Sequence, residues 1–328
     1  MSFCVRQSFF GDLAERAGAG AARLPLAFRD RQLDCVERFR RRGGGFRGRD
    51  GASDLYYTGF AARVREMLGR ADRDRGGELT AYVSRVRGEV RSLSDLVSLC
   101  ELGRILGTTT APTPGADSAA VRRRLACFRT RDGNGYARLR GGGWSTYGTF
   151  LAFTAAQLSG VPLPDPGGTL AFMQALQRPD GGFPETPEAS ASSTNPTAAG
   201  VVFLSENGAL SPESAAAAAR FLANMQSTDG GLQAHGSAPP DLLSTFTGLT
   251  ALWRTGQASA LRLGNLARFV RSLSLRDGGF RPTSLDSHTD PEYIYYGLAV
   301  LALLAAEVSD RSTRRGPHFL QSAPGESR

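Results

Sequence analysis

The chain has 328 residues, 41% of them hydrophobic, enough to bury a sizeable core in one large domain or two smaller ones. Its formal charge is +8, yet it contains no lysine, and its arginines are scattered apart from Arg40–Arg42 and Arg122–Arg124; that is the pattern of solvated helix faces, not of a nucleic-acid patch. No apolar run reaches the roughly 18 residues that a membrane helix needs, the best candidate, Tyr293 to Val308, being too short.

From the N-terminus, "MSFCVRQSFFGDLAERAG" lacks the basic start and apolar core of a secretion signal. Residues 1–29 are therefore expected to be an extension that packs least, in a cytoplasmic protein. The four cysteines (Cys4, Cys35, Cys100, Cys127) show no CxxC spacing. They argue against a disulfide framework or zinc finger, and for small core residues in a reducing compartment.

A repeat then organises the chain. Its weaker copies come first, "GGGFRGRDGASDLYYTGFAA" from Gly43 and "RGEVRSLSDLVSLCELGRIL" from Arg87. Four turn sequences follow, with aspartates at Asp132, Asp180, Asp229 and Asp277, spaced 48, 49 and 48 residues apart. Such a period means stacked supersecondary units. Each unit places an amphipathic helix first, such as "ESAAAAARFLANMQ" (Glu213–Gln226), then a Gly-Gly turn, a polar loop and a more uniformly apolar helix such as "DLLSTFTGLTALW" (Asp241–Trp253). Glycine suits the turn because it tolerates the left-handed backbone that ends a helix. No β-branched alternation reads as a strand. The expectation is an all-α protein of six helical hairpins over residues 30–308. They close into an (α/α)6 toroid with the apolar second helices inside and the amphipathic first helices outside. The inner helices should start near Asp54, Ser94, Ser145, Asn195, Asp241 and Asp290, and residues 309–328 should form a flexible tail.

The Asp-Gly-Gly-Phe turns "PDGGFP" and "RDGGFR" make a resemblance specific. The chain resembles the prenyltransferase and squalene/oxidosqualene cyclase repeat family, above all the β subunit of protein prenyltransferases such as Rab geranylgeranyltransferase. The last two units, Gly230–Leu252 and Gly278–Leu304, carry it best. The resemblance implies an isoprenoid substrate, a helical α-subunit partner, and one zinc held by an Asp and a Cys two residues apart plus a His on the next inner helix. In the family that zinc activates a substrate thiolate. The matching positions here hold Asp241, Leu243 and Tyr293, so one ligand of three is retained. Where the family binds diphosphate with cationic side chains, this chain has Tyr147, Ser193, His235 and Ala238. "LDSHTDPEY" offers a rearranged metal set of Asp241, His288 and Asp290, against a plainer reading in which Asp290 caps a helix opened by Pro291. The Asp-x-Asp-Asp acid of the cyclase branch is absent from the sequence.

Aromatic residues on or near the inner helices (Tyr56, Tyr57, Trp144, Tyr147, Phe150, Phe246, Tyr293, Tyr295 and Tyr296) suit the wall of an isoprenoid cavity. The substrate-binding candidates are Trp144, Tyr147, Ser193, His235, Phe246 and Tyr293. Two functions follow from the resemblance. One is a prenyltransferase-like enzyme acting in such a cavity. The other is a non-catalytic isoprenoid- or protein-binding toroid that has lost the zinc and diphosphate ligands.

Overall fold

The structure, a computed structural model, describes residues 9–70, 77–107, 118–163 and 165–314. Among them are thirteen α-helices and no strand. Six inner helices form a ring: α3 (Leu55–Met67), α5 (Leu93–Leu106), α7 (Thr146–Leu158), α9 (Thr194–Glu206), α11 (Leu242–Arg254) and α13 (Pro291–Arg314). Each packs on the next, and α13 packs on α3, so the ring closes. Outside it stand α2 (Leu26–Glu37), α4 (Glu78–Val86), α6 (Ser118–Ala126), α8 (Pro166–Ala175), α10 (Pro212–Asn224) and α12 (Leu263–Ser272). The expected toroid of six hairpins is what forms, with its first outer helix starting a little earlier than residue 30. The tail lies partly outside the described residues, and α13 runs beyond residue 308 to Arg314.

The inner helices begin where short polar side chains satisfy orphan N–H groups. Asp54 accepts from the backbone N–H of Tyr57 at 2.8 Å, Ser145 from Gly148 at 2.8 Å and Asp241 from Ser244 at 2.7 Å. Ser92 and Asp95 form a reciprocal capping box on α5. The first N–H of an inner helix also reaches the loop of the next unit: Thr146 donates to the Glu185 carbonyl, Thr194 to Ala234 and Leu242 to Pro282. One rim of the ring is thereby stitched unit to unit.

The Gly-Gly turns do more than end helices. Gly44, Gly181, Gly230 and Gly278 all have positive φ. A Cβ on each would collide with a backbone carbonyl of the following outer helix: Glu78, Ala217, Asn265 and Arg31, respectively. Glycine is thus required twice over, by conformation and by the close approach of the next unit. The last of these contacts joins the sixth unit to α2 and closes the circle with the same device that stacks its neighbours. The residue after each turn is anchored by a hydroxyl on the following inner segment. The N–H groups of Phe46, Phe183 and Leu232 donate to the Oγ1 atoms of Thr58, Thr197 and Thr245 at 2.9 Å.

One element lies outside the repeat. Helix α1 (Phe9–Ala21) was expected to belong to a loosely packed extension. Instead it packs along α13 and α3, with Phe9, Leu13, Ala17 and Ala21 buried. Its apolar residues at helical spacing find a partner surface at the seam of the ring. Gly20 lies so close to α13 that a Cβ there would overlap the Ala302 carbonyl. Ion pairs hold it on both sides, Asp12 with Arg254 at 3.0 Å and Arg16 with Glu307 at 2.9 Å.

Candidate functional site

The ring encloses a cavity with two parts. A wide mouth of about 760 Å³ opens among the N-terminal ends of the inner helices, and below it lies a narrow shaft with only about 80 Å³ of free volume. Tyr56, Ser94, Tyr147, Asn195 and Tyr296 line both and form a collar between them. The shaft is aromatic: Phe60, Phe150, Phe246 and Tyr295 come from the ring, and Phe9 and Phe10 come from α1. Phe246 stacks on Tyr296 with ring centroids 4.9 Å apart, and Phe60 meets Tyr296 edge-on at 5.3 Å. Among the described residues that line the shaft, one is a cation. Arg63 lies 4.9 Å from the Phe60 ring centre, 5.7 Å from those of Phe10 and Tyr295, and 3.8 Å from Glu101, so aromatic rings and a carboxylate offset its charge.

The mouth is polar and more acidic than basic. Its charged lining residues are Glu292, Glu185 and Asp95 against Arg138. Arg138 lies over the Tyr147 ring at 5.6 Å. Asp95 is occupied by the capping box. Burial raises the Glu185 carboxyl, opposed by a hydrogen bond from Ser145 and by the charge of Arg138.

Glu292 is the most displaced acid at the collar. Its Oε1 accepts from the Tyr56 hydroxyl at 2.7 Å and from the Tyr296 hydroxyl at 3.2 Å. Burial pushes its carboxyl up to about 7, the two phenol donors pull it down, and Asp290 adds to the rise. Desolvation wins because the hydrogen bonds come from neutral groups, and the one opposing positive charge, Arg49, is paired with Asp286 and Asp290. The same burial, with Glu292 close by, raises the phenols of Tyr56 and Tyr296 and pushes Tyr147 up to about 12. These hydroxyls therefore remain proton donors throughout the physiological range.

The remaining candidates fall at different places. Tyr147 and Phe246 line the shaft, and Ser193 and Leu243 line the mouth. Tyr293 packs edge-on against Tyr296 at 6.1 Å. Trp144 points away from the ring interior and packs on Phe172 of α8 at 5.1 Å. His235 lies on an exposed loop, bonded to Ser237 at 3.1 Å.

Zinc does not fit the residues present. Both carboxylate oxygens of Asp241 are occupied by Ser244, one by its N–H at 2.7 Å and one by its hydroxyl at 2.8 Å. Asp290 accepts from the N–H groups of Glu292 and Tyr293 and from Arg49, at 3.0, 3.2 and 3.2 Å. Those are the bonds of a helix cap. His288 is exposed and faces Asp286 at 3.3 Å. Among the described residues, no three His, Cys, Asp or Glu side chains gather as a metal site.

Sequence reasoning missed Glu185, Arg63 and the phenylalanines of α1, named Asn195 only as the start of an inner helix, and gave Glu292, within "LDSHTDPEY", no role. Spacing offers one signal for Glu292: Tyr296 follows it by four positions, on the same helix face. Its second partner, Tyr56, is 236 residues away in sequence.

Residues 197–323 match the prenyltransferase alpha-alpha toroid domain. No curated protein matches the chain significantly by sequence. Several solved structures share the fold. Protein geranylgeranyltransferase-I of Candida albicans, complexed with GGPP, superposes with a TM-score of 0.57 at 16% identity, over 65% of this chain and 66% of its own. This chain thus spans just under two thirds of that relative. A type II terpene cyclase from Scytonema, complexed with geranylgeranyl dihydroxybenzoate, gives 0.53 at 13% identity over 90% and 99% of the two chains. A protein from Actinoplanes gives 0.51 at 18% identity over 86% and 99%. No helix among the described residues is long and apolar enough to cross a membrane. The ring of six inner and six outer helices is an alpha-alpha toroid, and its C-terminal units match the prenyltransferase alpha-alpha toroid domain.

Proposed function

We propose that the toroid binds an isoprenoid-like molecule, with its apolar tail directed into the aromatic shaft and an uncharged, hydrogen-bonding head at the collar. The observation that carries this reading is the charge of the mouth. Three carboxylates and one arginine line it, and the carboxyl bonded to the collar tyrosines is pushed up to about 7 by burial. A diphosphate head would bring several negative charges against these groups without a cationic cradle to receive them. An alcohol or phenol head meets donors in Tyr56 and Tyr296 and an acceptor in Glu292. The tail contributes independently of the head, at about 25 cal/mol per Å² of apolar surface buried. The isoprenoid ligands of the geranylgeranyltransferase and terpene cyclase structures support the substrate class.

Calorimetric titration with geraniol and with geranyl diphosphate tests this. Both should bind within about tenfold of each other, a difference of ~1.4 kcal/mol or less. Diphosphate binding a hundredfold tighter would overturn the uncharged-head reading and point to Arg138 as the core of a phosphate site.

A second reading rests on Glu292 itself. A carboxyl titrating near neutrality, under a bound head group and between two phenols, is placed to exchange a proton with that head. In this reading the toroid is an acid–base catalyst. A pH profile of geraniol affinity with an inflection near 7, lost in Glu292→Gln, supports it; a flat wild-type profile argues for binding alone.

A further inference from the structure

We propose that helix α1 is the floor of the ring cavity and that Phe10 sets the length of apolar tail the shaft admits. This rests on the isoprenoid-binding reading above and adds a specificity determinant to it.

Four observations converge. Phe9, Phe10 and Leu13 line the shaft together with side chains of all six inner helices, so α1 closes the ring interior from below. Their presence leaves about 80 Å³ free, against about 760 Å³ in the mouth. Phe10 is half-buried where Phe9 is buried, and it stacks on Phe150 at 6.4 Å with Arg63 5.7 Å from its ring. Its ring therefore forms part of the wall that a tail in the shaft would meet. The helix itself is seated firmly: the Gly20 approach to α13 and the Asp12 and Arg16 ion pairs hold its backbone. A change of side chain at position 10 should therefore alter the depth of the shaft while the helix stays in place.

The ring closes through α13 and α3 without α1. The floor is thus separable from the scaffold, and its side chains are free of the constraints that the repeat imposes on the inner helices. An apolar tail gains affinity with every buried methylene until it meets a close-packed wall. Beyond that point each added isoprene unit must stay in the wide mouth or displace Phe10.

The test is a length series of probes, geraniol, farnesol and geranylgeraniol, titrated by competition against a fixed fluorescent apolar dye at constant detergent. Wild-type protein should bind the shortest best. Phe10→Ala should move the optimum to a longer alcohol, changing the ratio of farnesol to geraniol affinity by at least tenfold. Phe10→Trp should shift that ratio in the opposite direction, further in favour of geraniol. Phe10→Leu, a milder truncation, carries the test if the alanine variant does not fold, and thermal melts show which variants are native. An unchanged length preference across native variants overturns this inference while leaving the binding reading intact. Absence of binding by every alcohol, in wild type and variants alike, overturns both.

Discussion

The hydroxyl of Tyr56 on α3 donates to Oε1 of Glu292 on α13 across 2.7 Å, a hydrogen bond that spans the seam where the first inner helix meets the last. It ties ring closure to the chemistry of the collar. Arg49 reinforces the seam from the loop before α3, reaching Asp286 at 2.7 Å and Asp290 at 3.2 Å.

Glu292 should make stability fall as pH rises. Its carboxyl is raised from 4.5 to about 7 in the folded chain. The folded state therefore binds this proton more tightly than the unfolded state does. The associated stability is fully present below 4.5 and is lost as pH rises through 7. Glu292→Gln keeps an acceptor for Tyr56 and Tyr296 without the charge. Thermal melts should show the variant more stable than wild type at about pH 8, by up to about 3 kcal/mol, with the advantage gone near pH 4.5. Parallel pH profiles for the two proteins would rule out a strongly raised carboxyl.

Ring closure depends on Gly278. Alanine there must adopt φ +93 and overlap the Arg31 carbonyl of α2. Strain of about 1–3 kcal/mol in the backbone adds to a similar overpacking cost. Gly236→Ala is the control, since nothing lies within 4 Å of a Cβ there, and it should stay within about 0.5 kcal/mol of wild type. Urea titration compares the two. Equal midpoints would mean that the seam contributes little to global stability.

Asp241→Ala should behave as the loss of a helix cap. Removing the acceptor of the Ser244 N–H should cost about 0.5–2 kcal/mol. The zinc content of purified protein, measured by elemental mass spectrometry, should be substoichiometric before and after the change. One equivalent of zinc that disappears with Asp241 would show that a metal site assembles from residues now bonded as caps.

Leu13 distinguishes a docked α1 from a loose extension. It is 1% exposed, and truncating a buried leucine costs about 2–5 kcal/mol. Leu13→Ala should lower the urea midpoint accordingly, whereas a helix attached only at the surface would show almost no change.

What the amino-acid sequence determined by itself was everything that repeats or acts locally. Asp54, Ser145 and Asp241 were legible as helix starts because a cap bonds a backbone N–H three positions on, inside one turn of chain. The Gly-Gly turns were legible because positive φ is a property of a single residue and the period exposes it at Gly44, Gly181, Gly230 and Gly278. That Leu243 stands where a zinc-binding cysteine was implied was also visible in the bare string. Tertiary structure alone decided the site. Glycine at 44, 181, 230 and 278 answers to carbonyls on other helices, which no local preference encodes. The carboxyl of Glu292 takes its character from burial and from a tyrosine on the far side of the seam, and its position in a first helical turn resembles that of any acidic residue facing a helix N-terminus. Helix α1 shows an apolar stripe in sequence, but a stripe specifies only that something must cover it; the ring decided what, and Phe9, Phe10 and Leu13 line its shaft.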